Sequence, residues 1–252
     1  MSTDQGHDLL DLLDATADAI AAALFALDDW GLAGTRAGQY RSDLATDAVA
    51  VQRLTAAGCG VLSEESGIHD GAADVVVVVD PLDGSTNASH GIPWFATSLC
   101  AVDADGPLAA VVLNLATGDR FRAARGSGAT RDGVAIRPSS AAELSDAMVG
   151  LSGYPRRHLG WRQYRALGAA ALDLCAVACG ILDGYLDCSF DAHGVWDYAG
   201  GLLVCQEAGA VVADATGREL IVLEHEARRT PIAAATPALL DALVGARATA
   251  GA

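Results

Sequence analysis

A run of five valines, 75–79, followed by Asp80-Pro81-Leu82-Asp83, constrains the fold of this chain more than any other segment. β-Branched side chains pack well on a pleated sheet, so the run predicts a buried strand. Pro81 has no amide hydrogen to donate to a strand ladder, and we therefore expect the strand to end there. Asp80 and Asp83 then project from its carboxyl end. Two carboxylates this close repel each other, which favours a cation between them.

The residues around this strand end offer ligands for a metal ion and for a phosphate group. Asp80 and Asp83 provide the hard oxygen ligands that Mg²⁺ prefers. Gly84, Ser85 and Thr86 follow directly and offer backbone amides and hydroxyl groups that suit a phosphate. A simple Asp-Gly turn would explain Asp83 and Gly84, but neither Asp80 nor the Ser-Thr pair. The motif therefore indicates a metal and phosphate site.

The composition indicates a globular protein that does not bind nucleic acid polymers. The 252 residues are 52% hydrophobic and 19% charged, enough for one large domain or two small ones with a sizeable core. The net charge is −16, and a surface this acidic repels a phosphate backbone. No apolar run approaches the roughly 18 residues of a membrane span, and the acidic N-terminus has no basic leader. We expect a cytoplasmic protein with no membrane partner.

The six cysteines lie mostly in apolar surroundings and form no Cys-x-x-Cys pair. Cys175 and Cys179 lie four residues apart on a predicted helix, a spacing that also occurs in metal sites. Small buried thiols are the favoured interpretation, and we expect all six cysteines to be reduced.

The hydrophobic pattern divides the chain into an α+β half, 1–140, which carries the metal and phosphate motif, and an α/β half, 141–252, which completes the site. The first half is predicted to contain helices at 8–29 and 43–57 and strands at 61–63, 94–102, 108–115, 119–124 and 134–137. The second half is predicted to contain strands at 148–152, 185–188, 209–213 and 232–235, helices at 169–182, 196–207 and 237–246, and a frayed tail at 247–252. Mixed sheets with helices between them predict an α+β or layered α/β protein.

Two further acidic residues stand at predicted element ends. Glu64 follows the strand 61–63, and Asp197 lies at the start of the helix 196–207. Taken alone, Glu64 is typical of a solvated turn, and Asp197 is typical of an acid that stabilises a helix N-terminus. Together with the aspartates of the opening motif, they favour a shared site.

The matching pattern comprises Glu64-Glu65-Ser66, the run from Asp80 to Asn87, and Trp196-Asp197-Tyr198-Ala199-Gly200-Gly201 with Glu207-Ala208-Gly209 downstream. In order and spacing these segments resemble the inositol monophosphatase family. That family belongs to the lithium-sensitive, Mg²⁺-dependent phosphatases, together with bisphosphate nucleotidases and fructose-1,6-bisphosphatases. The resemblance extends from about residue 8 to about residue 246. It implies the layered α/β/α/β/α sandwich of the sugar phosphatases.

The resemblance also implies which residues hold metal. Glu64, Asp80, Asp83 and the Leu82 carbonyl would hold two Mg²⁺ ions, and Asp197 would complete the second position. Two such ions would neutralise the phosphoryl oxygens, activate a water molecule and stabilise the leaving oxygen.

The catalytic and phosphate-binding residues are implied in the same way. Ser85 stands where the family usually has a threonine, and with Glu64 it would position and deprotonate the attacking water. The amides of Gly84 and Ser85, next to Thr86, would hold the phosphate. Asp187 falls where the family has a group that accepts a substrate hydroxyl.

The chain departs from the family pattern at two places. Asp43 and Asp47 share one helix face, but the family's Thr-x-x-Asp arrangement is missing, so a third metal is an open alternative to helix capping by Ser42 or Asp43. The segment between Asp187 and Asp197 is longer than usual and contains His193. An ordinary loop residue is the favoured interpretation of His193, and contact with the leaving group is the alternative.

Arg156-Arg157-His158 belongs to the densest basic cluster of the chain, with Arg162 and Arg165 nearby. A solvated surface or a dimer interface is the favoured interpretation. The alternative is a clamp for a second phosphate, because guanidinium groups bind phosphate well.

The resemblance implies a Mg²⁺-dependent phosphomonoesterase that forms a homodimer and acts on a small phosphorylated metabolite. The first candidate substrate is myo-inositol 1-phosphate. A 3′(2′),5′-bisphosphate nucleotidase, a fructose-1,6-bisphosphatase and a histidinol-phosphatase are the alternatives. A regulator that binds a phosphorylated ligand without catalysis is the non-enzymatic alternative, and it predicts loss of a metal ligand that this chain has kept.

Overall fold

A computed structural model describes residues 3–34 and 39–249. Its helices are α1 (Thr3–Phe25), α2 (Arg41–Ala56), α3 (Ser85–Ser89), α4 (Ala170–Ala178), α5 (Val195–Ala208) and α6 (Pro237–Thr249), with a 3-10 turn at Leu144–Asp146. Its first eight strands are β1 (Gly60–Ser63), β2 (Gly67–His69), β3 (Val76–Asp83), β4 (Ala96–Asp103), β5 (Gly106–Asn114), β6 (Arg120–Ala124), β7 (Gly128–Arg131) and β8 (Val134–Ala135). The remaining strands are β9 (Met148–Ser152), β10 (Gln163–Arg165), β11 (Gly184–Asp187), β12 (Val211–Asp214) and β13 (Pro231–Ala234).

The strands form two mixed sheets. The larger sheet has the order β2-β1-β3-β4-β5-β6-β7-β8, and the smaller sheet has the order β10-β9-β11-β13-β12. From β3 to β8 the strands are antiparallel neighbours joined in sequence, whereas β1 and β3 run parallel. The parallel pair brings the carboxyl ends of β1 and β3 to the same edge of the sheet.

The two sheets and six helices stack in five layers. Helices α1 and α2 cover one face of the larger sheet and bury Leu13, Ile20 and Leu54 against Val77 and Val79. The opposite face carries the alternate valines and packs on α4 and α5, which lie between the two sheets. The smaller sheet is covered on its outer face by α6. The α/β/α/β/α arrangement predicted for the chain is therefore confirmed, and all six cysteines are free thiols, as expected.

The prediction that Pro81 ends the strand is wrong. β3 continues to Asp83, and its pairing with β4 shifts register between Asp80 and Asp83. The irregularity accommodates a residue without an amide hydrogen, because a bulge leaves one backbone group unpaired. It also displaces the two aspartates from regular strand positions.

The predicted frayed tail is also wrong where the structure describes it. α6 continues to Thr249, and Arg247 is buried with only 7% of its surface exposed. The Nε group of Arg247 donates a hydrogen bond to the Asp187 carbonyl at 2.8 Å, which attaches the end of the helix to the body of the protein. Residues 250–252 lie outside the described part of the chain. Within the described residues, we find no helix with the length and apolar character needed to cross a membrane.

Candidate active site

The parallel pairing of β1 and β3 places Glu64 beside the aspartate motif. Ser63 pairs with Val79, and the Glu64 amide donates a hydrogen bond to the Val79 carbonyl at 3.1 Å. Asp80 is 1% exposed, and its Oδ1 accepts the Leu82 amide at 3.0 Å. The first two predicted acids therefore meet at one sheet edge, although 16 residues separate them in the chain.

Asp83 ends β3 and contacts α4, and Asp197 approaches the same edge from α5. The Oδ2 atom of Asp83 accepts the Ala171 amide, in the first turn of α4, at 2.7 Å. Asp197 lies in the first turn of α5, where its Oδ2 accepts the Gly194 amide at 2.8 Å. The helix-capping role proposed as the alternative for Asp197 is therefore present. It does not exclude a place in the site, because the charge of Asp197 acts on both Glu64 and Asp83.

Burial and mutual repulsion raise the pKa values of Glu64, Asp80 and Asp83. Burial is the main cause that raises the pKa of Glu64 to about 8, and the charges of Asp197 and Glu65 add to it. Burial, followed by the charge of Asp197, raises the pKa of Asp83 to about 7. Burial and the charge of Glu64 raise the pKa of Asp80 well above its ordinary value. Ionising all of these groups together needs a compensating cation.

His193 lies within this group of acids. Its Nδ1 is 3.1 Å from Asp197 Oδ2, and its Nε2 is 3.2 Å from both the Tyr185 hydroxyl and Ser152 Oγ. Burial by itself would lower the pKa of His193, but the hydrogen bond to Asp197 and the charges around it raise the pKa to about 9. His193 lies in a loop, as the favoured interpretation has it, and only 13% of its side chain is exposed.

Asp187 ends β11 and lies beside His193. Its side chain is fully buried, and its Oδ1 accepts the Ser189 amide at 2.8 Å. Its Oδ2 has no hydrogen-bond partner within the described residues and lies 3.7 Å from His193 Nε2. Burial raises the pKa of Asp187, since a buried carboxylate with a missing partner is costly. This oxygen is available to accept a hydrogen bond from a ligand.

The turn after Asp83 requires glycine. Gly84 has φ of +83°, and a Cβ there would lie 3.0 Å from the Trp94 carbonyl oxygen and 3.2 Å from that of Gly168. α3 begins at Ser85, so the amides of Ser85 and Thr86 come directly after the aspartates.

Asp43 and Asp47 are both buried on α2 and are already engaged. Asp43 Oδ2 accepts the Tyr40 amide at 2.8 Å at the start of the helix, which is the capping role given as one alternative. Asp47 accepts a hydrogen bond from the Ser63 hydroxyl, next to Glu64. The charge of Asp43 contributes to the raised pKa of Glu64, so this end of α2 lies near the acids. Both carboxylates of α2 already accept hydrogen bonds from other residues.

The basic cluster lies beyond β9 and is exposed. Arg157 donates a hydrogen bond to the Thr249 carbonyl at 2.9 Å, at the end of α6. Arg156 is exposed four residues after Ser152, whose hydroxyl contacts His193. The segment therefore starts at the site and leads away from it, and the structure does not bring Arg157 into contact with the buried acids.

Sequence reasoning missed two residues of this region. Asp173 is 1% exposed in α4, accepts a hydrogen bond from Trp94 Nε1 at 2.9 Å and has its pKa raised well above the ordinary value by burial. A single acid within the apolar stretch Ala170–Ala178 was the available signal. His225 lies in a loop far from Glu64 in the sequence but contacts it in the structure, and no spacing in the sequence predicts that contact.

The donor set suits a hard divalent cation. The acids are oxygen ligands, Asp80 and Asp83 are buried, and the positive charge of His193 lowers the pKa of Asp83 against the other causes. Across residues 3–34 and 39–249, no three His, Cys, Asp or Glu side chains are already arranged around a point that could hold a metal ion. Asp80, Asp83 and Asp197 each accept a hydrogen bond from a backbone amide.

Residues 41–251 match the model of the inositol monophosphatase family. The chain is 37% identical over 214 residues to the fructose-1,6-bisphosphatase/inositol-1-monophosphatase of Thermococcus kodakarensis, which covers 82% of each chain. It is 35% identical over 173 residues to the Nus factor SuhB of Salmonella typhimurium, covering 62% of this chain and 63% of that protein.

Solved structures show the same architecture. A Pyrococcus horikoshii protein described as similar to inositol-1 monophosphatase superposes with a TM-score of 0.83 at 26% identity, covering 97% of this chain and 99% of the other. The inositol monophosphatase of Anabaena superposes with a TM-score of 0.80 at 27% identity, covering 97% and 96%. These likenesses define the class as a phosphatase with a layered α+β fold. The chain belongs to the inositol monophosphatase family, which acts on small phosphorylated substrates.

Proposed function

We propose that this protein is a Mg²⁺-dependent phosphomonoesterase with two metal positions. Glu64, Asp80, Asp83, Asp197 and the Leu82 carbonyl would hold the ions. The observation that carries the proposal is the gathering of these acids at one sheet edge, where burial and repulsion raise the pKa values of Glu64 to about 8 and of Asp83 to about 7. A divalent cation would relieve the repulsion. Bound Mg²⁺ would supply a Lewis acid that neutralises charge on the phosphoryl oxygens.

The protein's own groups would bind the phosphate and move the proton. The amides of Gly84 and Ser85 and the Thr86 hydroxyl would bind phosphoryl oxygens. Water forms a bond to phosphorus while the bond from phosphorus to the ester oxygen breaks, which yields inorganic phosphate and an alcohol. The Ser85 hydroxyl would orient the water, and Glu64 would accept the proton that the water loses. The ester oxygen takes up a proton from a solvent water as it leaves, and Glu64 later releases its proton to solvent.

The first candidate substrate is myo-inositol 1-phosphate. Asp187 Oδ2 is a buried acceptor without a partner in the described structure, and a sugar-alcohol hydroxyl would satisfy it. His193, which lies 3.7 Å from that oxygen, would border the same hydroxyl.

A fructose bisphosphate is the second candidate. The names of the Thermococcus kodakarensis relative and of a Pyrococcus furiosus relative, 35% identical over 184 residues, support it, since both include fructose-1,6-bisphosphatase. Arg156 and Arg157 would then bind the second phosphate.

A phosphate-release screen tests the proposal. The purified protein is incubated with inositol, fructose, nucleotide and histidinol phosphates, with Mg²⁺ or with EDTA. Release that needs Mg²⁺ supports a metal-dependent phosphatase, and the preferred ester identifies the substrate. Mg²⁺ binding without release from any ester, at every metal concentration, would instead indicate a regulator that binds a phosphorylated ligand.

We also propose that the halves 1–140 and 141–252 contribute to one site, because Glu64, Asp80 and Asp83 come from the first and Asp197 and Asp187 from the second. A homodimer is the proposed assembly, and light scattering after size-exclusion chromatography measures it.

A further inference from the structure

The segment 224–229, between β12 and β13, connects two walls of the carboxylate site, and we call it the strap. At one end, Arg229 pairs with His193 through two backbone hydrogen bonds of 2.9 and 3.3 Å. At the other end, His225 reaches Glu64. The strap therefore touches both the loop that leads into α5 and the end of β1.

His225 holds the backbone of Glu64 directly. Its Nε2 lies 3.1 Å from the Glu64 carbonyl oxygen. A carbonyl oxygen can only accept, so the Nε2 atom carries the hydrogen and donates it. Only 29% of the His225 side chain is exposed. The contact joins residues 161 positions apart in the chain.

The same imidazole packs on the residue before Asp197. The His225 and Trp196 rings have centroids 4.8 Å apart with an angle of 32° between their planes. Trp196 is 4% exposed in the first turn of α5, so its ring is a rigid surface. The Arg228 guanidinium lies 5.0 Å from the centre of that ring. One histidine side chain thus contacts the backbone of Glu64 and the neighbour of Asp197.

Arg228 keeps the strap in the shape that this contact needs. Its Nη1 donates hydrogen bonds to the carbonyls of His225 and Ala227, at 2.6 and 2.9 Å. The cation over the Trp196 ring adds a further attraction. Hydrogen bonds within the strap therefore stabilise its turn and restrict the movement of the His225 ring away from Trp196.

We infer that His225 is a positioning residue that sets the separation between Glu64 and Asp197. The inference rests on the proposed metal-dependent function. Glu64 ends a strand of the larger sheet and Asp197 begins a helix between the sheets, so no local backbone geometry fixes their distance. Groups behind metal ligands typically alter metal affinity by about 10- to 100-fold when they are removed.

Three variants separate the hydrogen bond from the ring packing. His225→Phe keeps an aromatic ring against Trp196 but has no donor, whereas His225→Gln keeps an N–H donor of similar reach. Glu224→Gln is the control, because it changes an exposed side chain of the same strap. Mn²⁺ binding, measured by electron paramagnetic resonance of the free ion, is the direct measurement, and the Mg²⁺ concentration for half-maximal phosphate release accompanies it.

We expect His225→Phe to weaken Mn²⁺ binding about 10-fold, and to raise the Mg²⁺ requirement equally while kcat at saturating Mg²⁺ stays within about 3-fold. His225→Gln and Glu224→Gln should bind Mn²⁺ within about 3-fold of the parent. The inference is overturned if His225→Phe binds Mn²⁺ as tightly as the parent. It is also overturned if His225→Phe and His225→Gln lose Mn²⁺ affinity to the same extent.

Hydrogen–deuterium exchange of the unmodified protein supplies a test that needs no variant. If the strap positions metal ligands, metal binding must stabilise the strap to the same extent. Mg²⁺ should therefore slow exchange in peptides that cover 224–229. If Mg²⁺ does not change the exchange rate of the strap in a protein that does bind Mn²⁺, the inference is overturned and the phosphatase proposal is left intact. A parent that neither binds Mn²⁺ nor releases phosphate overturns both.

Discussion

His193 and Asp197 form a partly buried ion pair in which Nδ1 lies 3.1 Å from Oδ2, and that same oxygen accepts the Gly194 amide at 2.8 Å. The pair balances part of the negative charge that the fold collects between the sheets. Because His193 also contacts Tyr185 and Ser152, it links β9, β11 and α5 around that charge.

His193→Gln should destabilise the metal-free protein. Removing one partner of this partly buried ion pair leaves the other charge without its partner, which costs about 2 kcal/mol. Urea denaturation in EDTA measures the change in the free energy of unfolding. The exposed His158→Gln should change it by less than about 0.5 kcal/mol. Equal stability of the His193 variant and the parent would show that the acids do not depend on this cation.

The stability of the metal-free protein should decrease as the pH rises. The folded protein keeps protons on Glu64 between the ordinary pKa of 4.5 and about 8, and on Asp83 between 3.8 and about 7, where the unfolded chain releases them. The pKa of His193, raised from 6.5 to about 9, acts in the same direction, because its contribution is lost as the pH rises through 9.

We therefore expect a lower Tm at pH 8.5 than at pH 5.5 in EDTA. Mg²⁺ should raise the Tm more at pH 8.5, since it replaces the protons on the same carboxylates. Differential scanning calorimetry at both pH values, with and without Mg²⁺, measures the effect. A Mg²⁺ effect that is larger at pH 5.5 contradicts the assignment of these acids as ligands.

Asp83→Asn should abolish phosphate release and leave the fold intact. The amide oxygen of asparagine can still accept the Ala171 amide, but the negative charge that would hold a metal is lost. We expect a fall in kcat of at least about 100-fold, with circular dichroism unchanged. Asp105→Asn, at an exposed turn, is the matched control. Activity within a few-fold of the parent would remove Asp83 from the metal site.

Replacing Arg156 and Arg157 together with alanine tests the second-phosphate clamp. A clamp would bind only substrates with two phosphates, so KM should rise about 10-fold or more for fructose 1,6-bisphosphate and little for a monophosphate. Arg53→Ala, on the exposed face of α2, controls for the loss of a positive charge. Equal effects on both classes of substrate would leave the cluster as a surface or interface feature.

Arg247→Leu should destabilise the protein and disturb Asp187. The arginine is buried and donates to the carbonyls of Asp187 and Ser189. Leaving these carbonyls without donors costs about 1–3 kcal/mol. Urea denaturation measures the loss, with Arg53→Leu as the control for an exposed position. We also expect a higher KM for a polyol phosphate, because the Asp187 carbonyl loses the hydrogen bond from Arg247 that holds this residue in place. An unchanged unfolding free energy contradicts a structural role for the helix end.

The β-branched run and the helical spacing of apolar residues were sufficient to predict most elements and an α+β or layered α/β class, and the family resemblance implied the five layers. Their boundaries depended on contacts that sequence patterns do not contain. β3 continues past Pro81 because the register shift there leaves the residue without an amide hydrogen unpaired. α6 extends to Thr249, and Arg247 near its end donates a hydrogen bond to the Asp187 carbonyl. The short strands β2, β7 and β10 were also missed, since three or four residues carry too little periodicity to distinguish a strand from a turn.

By itself, the sequence determined that Asp80 and Asp83 stand together at a strand end, because three residues of chain separate them. It also placed Glu64 and Asp197 at element ends. Only the tertiary structure decided how deeply each of these acids is buried, and that His193 and His225 contact Asp197 and Glu64. The reason is physical: desolvation and repulsion act through space, so the pKa values of Glu64 and Asp83 depend on neighbours that parallel strand pairing and the packing of α5 bring within reach.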